Sequence, residues 1–246
     1  MSNQVRLHRL CNSNAIRESD ISTVLRDTAK GYWLLGKLCL SGILPRRHYR
    51  TPDRHLLLVV ACFPPDFSGG VFRPLALACH AIKWGWEVTV LARPPRYPVS
   101  QAGLDLAETI PPQVTVQRSA DPITPSRRLF PVIDGGFPDV FAALSSAKHF
   151  LHNVQPAVIM ASGPPFSSFV AARSIARRCG VPLVLDYRDE WTECPHTFVD
   201  KSSRNVAWER RCLRDARRVL FTTQSQMEHA LTTFPELHRS RSAVVP

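Results

Sequence analysis

The residues best suited to chemistry follow an apolar run in the last third of the chain. Residues 181–187 form that run, which contains Asp186, and four polar or aromatic residues come directly after it: Arg188, Asp189, Glu190 and Trp191. Carboxylates hold sugar hydroxyls, an indole stacks on the apolar face of a sugar ring, and a buried Asp189 would act as a general base. The structural interpretation is also open: Arg188 pairs with a carboxylate and Trp191 lies in the core.

A second group of candidates lies in the loop 63–70, after the apolar run 55–62. Gly69 and Gly70 permit close approach of the backbone and open a helix whose free N–H groups favour an anion. Arg73, in the first turn, would add charge-assisted hydrogen bonds to a phosphate, and Asp66 is a candidate for substrate contact. The alternative is that the glycines only form a tight turn. The lack of a G-x-G-x-x-G or Walker pattern disfavours a dinucleotide or ATP site.

Two further candidates for substrate binding lie near other loops. Ser162 ends the apolar run 157–162, just before Gly-Pro-Pro, and His196 follows Pro195 in the loop beyond Trp191. A structural role is the alternative for His196. No H-E-x-x-H or similar spacing occurs, so no metal site is expected.

These candidates are positioned by a regular alternation of strands and helices. The apolar runs predict strands at 55–62, 87–92, 114–117, 157–162, 181–187 and 219–223, with another beginning at 243–245. Helical periodicity predicts helices at 71–84, 138–153, 167–179, 204–216 and 226–233. Residues 93–136 are interpreted as a long loop region over the sheet edge with one short strand. This rhythm predicts an α/β fold, a Rossmann-like doubly wound parallel sheet. Ligands of such sheets gather at the carboxyl ends of the strands.

Charge and cysteine content narrow the possible partners. The 246 residues carry a formal net charge of +11, which favours an anionic partner, and residues 1–50 hold nine Lys or Arg against three Asp or Glu. A second basic run lies at 201–218. No nucleic-acid-binding motif spacing is present, so nucleic acid is not expected. Seven scattered cysteines without a C-x-x-C pair indicate a reducing, cytoplasmic compartment.

Residues 1–50 form a basic N-terminal extension, and residues 51–246 the predicted domain. The extension lacks the early apolar run of a secretory signal. Its longest apolar stretch, residues 32–44, is too short to span a bilayer as a helix. Two interpretations remain: an element packed on the domain, or a segment that lies peripherally on a membrane surface between basic residues.

Four motifs in order resemble a known enzyme family. A strand ending in Phe-Pro-Pro-Asp is followed by Gly-Gly, an Arg three residues on, and Gly-Trp-Glu-Val-Thr-Val-Leu; this resembles the start of family-4 glycosyltransferases. Val-Ile-Met-Ala-Ser-Gly-Pro-Pro, Asp-Tyr-Arg-Asp-Glu-Trp and Trp-Glu-Arg-Arg-Cys-Leu-Arg-Asp-Ala are similar to later segments of that family. The resemblance covers about residues 56–246.

The resemblance implies the GT-B fold, in which two Rossmann-like domains face a cleft, and sugar transfer from a UDP- or GDP-sugar to a lipid-linked or polysaccharide acceptor. It places Gly69 and Gly70 at the cleft and Asp189 and Trp191 on the acceptor side, with no tightly bound cofactor. Many members carry His where this chain has Arg188, which leaves the role of that position open.

Family members continue beyond Val-Val-Pro with Asn-Gly and a nucleotide-binding second domain. The chain therefore corresponds to the N-terminal, acceptor-side half; a donor-binding domain or chain is expected, and little transfer is expected without it. The alternatives are a non-catalytic membrane-docking or acceptor-binding subunit of a two-chain transferase, a degenerate remnant, or an unrelated Rossmann-like protein that binds a small anion.

Overall fold

A computed structural model describes residues 21–40, 54–95, 98–120, 123, 125, 131, 133–151, 155–195 and 200–246. Its strands are β1 His55–Val60, β2 Glu87–Ala92, β3 Val114–Arg118, β4 Val158–Gly163, β5 Leu183–Tyr187, β6 Arg218–Phe221 and β7 Ser242–Val244. Its helices are α1 Ile21–Leu40, α2 Gly69–Lys83, α3 Gln101–Glu108, α4 Phe137–Phe150, α5 Ser167–Cys179, α6 Ser203–Asp215 and α7 Gln224–Thr233, with a 3-10 turn at Arg239–Arg241.

The strands form one parallel sheet in the order β3-β2-β1-β4-β5-β6-β7. The chain runs outward from β1 to β3, returns to β4 on the other side of β1, and then runs outward to β7. The order therefore reverses between β1 and β4. This confirms the predicted doubly wound, Rossmann-like sheet and places its switch point beside the loops after β1 and β4.

The central strand is buried on both faces, as its unbroken apolar sequence predicts. All six residues of β1 are buried. Leu56 and Leu58 face a core beneath α2, whereas Leu57 and Val59 face the larger core beneath α4 and α5. Truncating such a leucine to alanine costs about 2–5 kcal/mol, so this strand anchors the layers that carry the loops above it.

Helix α3 corrects the prediction for residues 93–136, which contained no helix. Ser100 caps its N-terminus by accepting a hydrogen bond from the Gly103 N–H. Gly103 is the one buried residue of this eight-residue helix. Its Leu106 packs against the core, but eight residues make only about two turns, too few for a clear helical period in the sequence. A Cβ on Gly103 would lie 2.1 Å from the Pro65 carbonyl oxygen, so α3 packs directly on the loop after β1.

Helix α1 packs on the domain, the first of the two interpretations of residues 32–44. Leu38 is buried in the larger core, and Leu34 and Leu35 pack against it. The opposite face exposes Leu25 and Trp33. None of the helices in the described residues is long and apolar enough to cross a membrane. The predictions for residues 1–20 and 41–53 lie outside the described residues.

Candidate functional site

The carboxylate of Asp186 is the centre of a buried ion pair at the sheet edge. Asp186 lies near the end of β5 with 0% exposure. Arg73 of α2 donates from Nε to both carboxylate oxygens at 3.0 Å and from Nη2 to Oδ1 at 2.7 Å. Ser162, from β4, donates its hydroxyl to Oδ2 at 2.7 Å. The three residues thus join α2, β4 and β5 across the switch point.

This pairing corrects three predicted contacts. A buried carboxylate requires a cation and hydrogen-bond donors, and Arg73 and Ser162 supply both. Asp186 and Ser162 are therefore enclosed in the fold rather than exposed to a substrate. The Arg73 charge is directed at Asp186 instead of a phosphate, and Arg73 Nη2 also donates to the Val245 carbonyl oxygen at 2.8 Å. The structural alternative drawn from the sequence also paired an arginine with a carboxylate, but that arginine was Arg188.

Arg188 instead braces the loop after β4. Its Nε donates to the Gly163 carbonyl oxygen at 3.2 Å, and its Nη2 donates to the Pro164 carbonyl oxygen. Burial lowers the pKa of Arg188. A Cβ on Gly70 would lie 3.0 Å from Arg188 Nη1, so the glycine provides the space that the guanidinium occupies.

Gly69 differs from Gly70 because it faces open space. A Cβ on Gly69 would meet no atom within 4 Å. Phe67, Ser68 and Gly69 are exposed, and the Ser68 side chain makes no capping hydrogen bond to α2. Gly69 thus presents the start of the 15-residue helix to solvent, a position that favours anions, whereas the Val71 N–H already donates to the Ser68 carbonyl oxygen at 3.0 Å.

Trp191 does not offer a face to a sugar. Its side chain is 0% exposed. The indole stacks on Phe166 with 5.0 Å between ring centroids and 7° between planes, and Phe169 meets it edge-on. The substrate contact predicted for Trp191 is corrected, because the stacking energy and buried area of the indole are used in the core.

The remaining candidates differ in accessibility. Asp189 lies just after β5 and is exposed. Its predicted general-base role depended on burial, which it lacks. An acceptor could still reach its carboxylate. Asp66 is half-buried and accepts a hydrogen bond from the Phe63 N–H at 3.4 Å. His196 lies outside the described residues. Within the described residues, no group of three or more His, Cys, Asp or Glu side chains is arranged to hold a metal ion.

Two arginines at the same edge were missed by the sequence analysis. Arg118 ends β3 and donates from Nη1 to the Arg93 carbonyl oxygen at 3.0 Å and from Nη2 to the Phe63 carbonyl oxygen at 3.2 Å. Arg93 directly follows β2 and donates to Cys62 Sγ at 3.2 Å. Burial lowers the pKa of Arg118. Applying the strand-end rule to β2 and β3, as it was applied to β1, β4 and β5, would have found both residues.

A buried network lies beneath the loop after β5. Glu209, in α6, accepts hydrogen bonds from the Tyr187 hydroxyl at 3.2 Å, the Thr192 N–H at 3.0 Å and the Thr192 hydroxyl at 2.5 Å. Burial, opposed by these hydrogen bonds, raises the pKa of Glu209 to about 7. The network fixes the loop that carries Asp189 and Trp191 onto α6.

Comparison with models of protein families identifies a family to which this chain is related. A family model described as the glycosyl transferase 4-like domain matches residues 68–246, from the open end of α2 to the last residue. The chain belongs to the glycosyl transferase 4-like family. This confirms the resemblance drawn from the motifs and the assignment of the chain to the transferases. No curated protein matches the sequence significantly.

Several solved structures are similar in fold to this glycosyl transferase 4-like domain. Sucrose-phosphate synthase from Thermosynechococcus elongatus aligns with a TM-score of 0.56 and 11% identity, over 79% of this chain and 48% of that one. A shorter form of the same enzyme aligns with a TM-score of 0.50 and 14% identity, over 78% of this chain and 87% of that one. A Phytolacca americana UGT2 structure, complexed with UDP-2fluoro-glucose and pterostilbene, aligns with a TM-score of 0.49 and 13% identity, over 80% and 54%. The glycosyl transferase 4-like chain spans about half the length of the UGT2 structure and of the longer sucrose-phosphate synthase structure, and its parallel sheet has the Rossmann-like fold of GT-B glycosyltransferases.

Proposed function

We propose that this glycosyl transferase 4-like chain supplies the acceptor side of a glycosyltransferase. Its sheet edge receives a glycan or lipid-linked acceptor while a nucleotide sugar, UDP- or GDP-linked, is held largely by a separate donor-binding domain or chain. Membership of the family supports sugar transfer. The main support for the proposed role is the open N-terminus of α2. It lies at the switch point, where ligands of doubly wound sheets bind.

The residues at that edge are of two kinds: side chains that hold the loops in place, and two groups that a ligand can reach. The Arg73–Asp186 pair and the Arg188 bonds hold the loops after β1, β4 and β5 in place. Above them, the N–H groups at Gly69 meet the donor diphosphate, whose charge the helix dipole stabilises. Asp189 accepts a hydrogen bond from the acceptor hydroxyl and positions it. As the acceptor oxygen bonds to the anomeric carbon of the sugar, the bond from that carbon to the diphosphate breaks, the nucleoside diphosphate leaves, and Asp189 is the candidate to take the hydroxyl proton.

The test is the binding of UDP and GDP, measured by calorimetry, to the chain and to two matched variants. Gly69→Asp places a carboxylate where the diphosphate is proposed to bind. Gly36→Asp makes the same change on α1, at another exposed glycine with open space around it. We expect Gly69→Asp to weaken diphosphate binding by about tenfold and Gly36→Asp to leave it unchanged, because charge effects at a helix terminus decay within one turn. Equal binding by all three proteins would refute the assignment.

We also propose peripheral contact with an anionic membrane from the cytoplasmic side, through α1. The exposed side of this helix presents Leu25 and Trp33 together with the cations Arg26, Lys30 and Lys37, and the Lys37 Nζ lies 3.4 Å from the Trp33 ring centroid. Apolar and basic side chains on one exposed helix fit an interfacial helix. Cosedimentation with phosphatidylglycerol vesicles tests it: Trp33→Ala should reduce binding and Trp84→Ala, an exposed tryptophan on α2's end, should not. Equal sedimentation of both variants with the wild type would contradict it.

A further inference from the structure

A small depression lies at the sheet edge on the other side of β1. It is a small, shallow space between the ends of β1 and β2 and the helices α4 and α5. Its floor is apolar, and its polar lining comes from a small set of side chains: Arg93, Ser119, Asp139, Ser167 and Ser168. None of these residues belongs to the open end of α2 described above.

Arg93 has more donors than partners in this depression. Its Nε and Nη1 are buried, and neither finds a hydrogen-bond acceptor among the described residues. Nη2 donates only to the Cys62 sulfur, a weak acceptor. The closest carboxylate, that of Asp139, lies 3.7 Å from Nη1, within ion-pair range but beyond a hydrogen bond. Buried charged donors without acceptors are costly, and a ligand oxygen removes that cost.

The surroundings add positive charge and further donors. Arg118 lies directly behind, bonded to the Arg93 carbonyl oxygen, and its guanidinium contacts backbone carbonyls rather than a carboxylate within the described residues. Ser119 is 6% exposed and Ser167 3% exposed, so both hydroxyls lie within the wall rather than on the surface. A guanidinium with hydroxyls around it matches the oxygens of a phosphate or carboxylate.

We propose that Arg93, with Ser119 and Ser167, binds an anionic group of the acceptor, a phosphate or a carboxylate. The proposal rests on the acceptor role proposed above and specifies the acceptor as negatively charged. Phosphate would come from a phosphate-linked lipid or sugar phosphate, and carboxylate from an acidic sugar. In the bound state, Nη1 of Arg93 donates to an oxygen of the anion, whereas Nε lies on the opposite edge of the guanidinium and does not share that contact.

The experiment follows the backbone amide resonances of the whole chain by NMR during titration with inorganic phosphate and, separately, with acetate. We expect saturable shifts at Ser119 and Ser167 in the wild type. Arg93→Gln should weaken them by about tenfold, as expected for a lost charge-assisted pair. Arg178→Gln, which removes an exposed arginine from the far end of α5, should leave them unchanged.

The outcomes separate this proposal from the first one. Tighter binding of phosphate than acetate identifies a phosphate-bearing acceptor, and the reverse order identifies an acidic sugar. Shifts confined to the open end of α2, or shifts at Ser119 that are equal in Arg93→Gln and wild type, would overturn the Arg93 site while leaving the diphosphate proposal intact. If Arg93→Gln does not fold, Ser119→Ala replaces it, with an expected loss of about threefold for one hydrogen bond.

Discussion

The Arg73 guanidinium forms a bidentate ion pair with the Asp186 carboxylate, in which Nε donates at 3.0 Å and Nη2 at 2.7 Å, although the two residues lie 113 positions apart in the chain. The carboxylate is fully buried and the arginine side chain is 18% exposed. Because the pair links α2 to β5, it determines how the open end of α2 is held against the sheet. The pair therefore stabilises the fold. The groups that a ligand can reach are the open end of α2 and Asp189.

Breaking this pair from one side should be much more harmful than removing both partners. Arg73→Met leaves the buried carboxylate without its hydrogen-bonded cation, and we expect it to lower the free energy of unfolding by about 3–5 kcal/mol. The double variant Arg73→Met with Asp186→Leu removes the charge as well and should lose less than the single variant. Urea unfolding monitored by circular dichroism measures both. A double variant less stable than Arg73→Met would contradict this account of the pair.

The two adjacent glycines of α2 should respond differently to alanine. A Cβ at position 70 meets Arg188 Nη1 at 3.0 Å, and the carbonyl oxygens of Gly163 and Pro164 restrain that guanidinium. Gly70→Ala should therefore be less stable than Gly69→Ala, by about 1 kcal/mol, because alanine at 69 meets open space and gains helix propensity. Thermal unfolding of the two variants, compared at equal pH and salt, makes the measurement. Equal stabilities would show that Arg188 moves aside freely.

Gly103 should tolerate no side chain. A Cβ there would lie 2.1 Å from the Pro65 carbonyl oxygen, a backbone atom that moves only with its loop. We expect Gly103→Ala to destabilise the domain by about 1–3 kcal/mol, as overpacking does, and to displace the loop after β1. Gly36→Ala, at an open helical position, serves as the control and should be neutral or slightly stabilising. A Gly103→Ala variant as stable as wild type would place α3 away from Pro65.

Glu209 should make the domain less stable as pH rises. Its pKa is about 7 in the folded protein against an ordinary value of 4.5, mainly because of burial. Between these two values the folded state binds more protons at this site than the unfolded state. Stability from this group is therefore fully present below pH 4.5, falls as pH rises, and levels off above pH 7. The shift corresponds to a loss on the order of 3 kcal/mol.

The measurement for Glu209 is the free energy of unfolding at several pH values for wild type and Glu209→Gln. The amide keeps an oxygen for Thr192 but does not ionise, so the difference in stability between the two proteins should change from pH 5 to pH 8 in favour of the variant. Glu193 lies close enough to raise the pKa of Glu209 further, so Glu193→Gln should reduce the slope partially. A difference that stays constant with pH would show that Glu209 is charged throughout.

The sheet was predictable because its information is local. The run at β1 is apolar without interruption, and Gly180 ends α5 with a left-handed φ of 71°, as its position after the helical periodicity indicates. Alternation of such elements determines the parallel topology, and the motif order determines the family. None of this requires knowledge of which side chains meet.

The site was less predictable because its contacts are distant in sequence. Sequence order shows that Arg73, Asp186 and Arg188 all reach the same edge, but only the three-dimensional arrangement shows that Asp186 pairs with Arg73. Trp191 followed a strand end, as ligand-binding aromatic residues do, yet it packs on Phe166. Arg93 could have been found from its place at a strand end, but its unpaired donors become visible only in the three-dimensional structure.

The most direct test of the central claim is an NMR titration of the chain with UDP and GDP that follows the amide resonances of α2. If this edge meets the donor diphosphate, the resonances of Gly69 and Gly70 shift together and saturably, and in Gly69→Asp the shift at Gly70 reports binding about tenfold weaker. Shifts absent from these two amides, or a Gly70 shift that saturates equally in Gly69→Asp, would contradict the claim that the open end of α2 faces the donor.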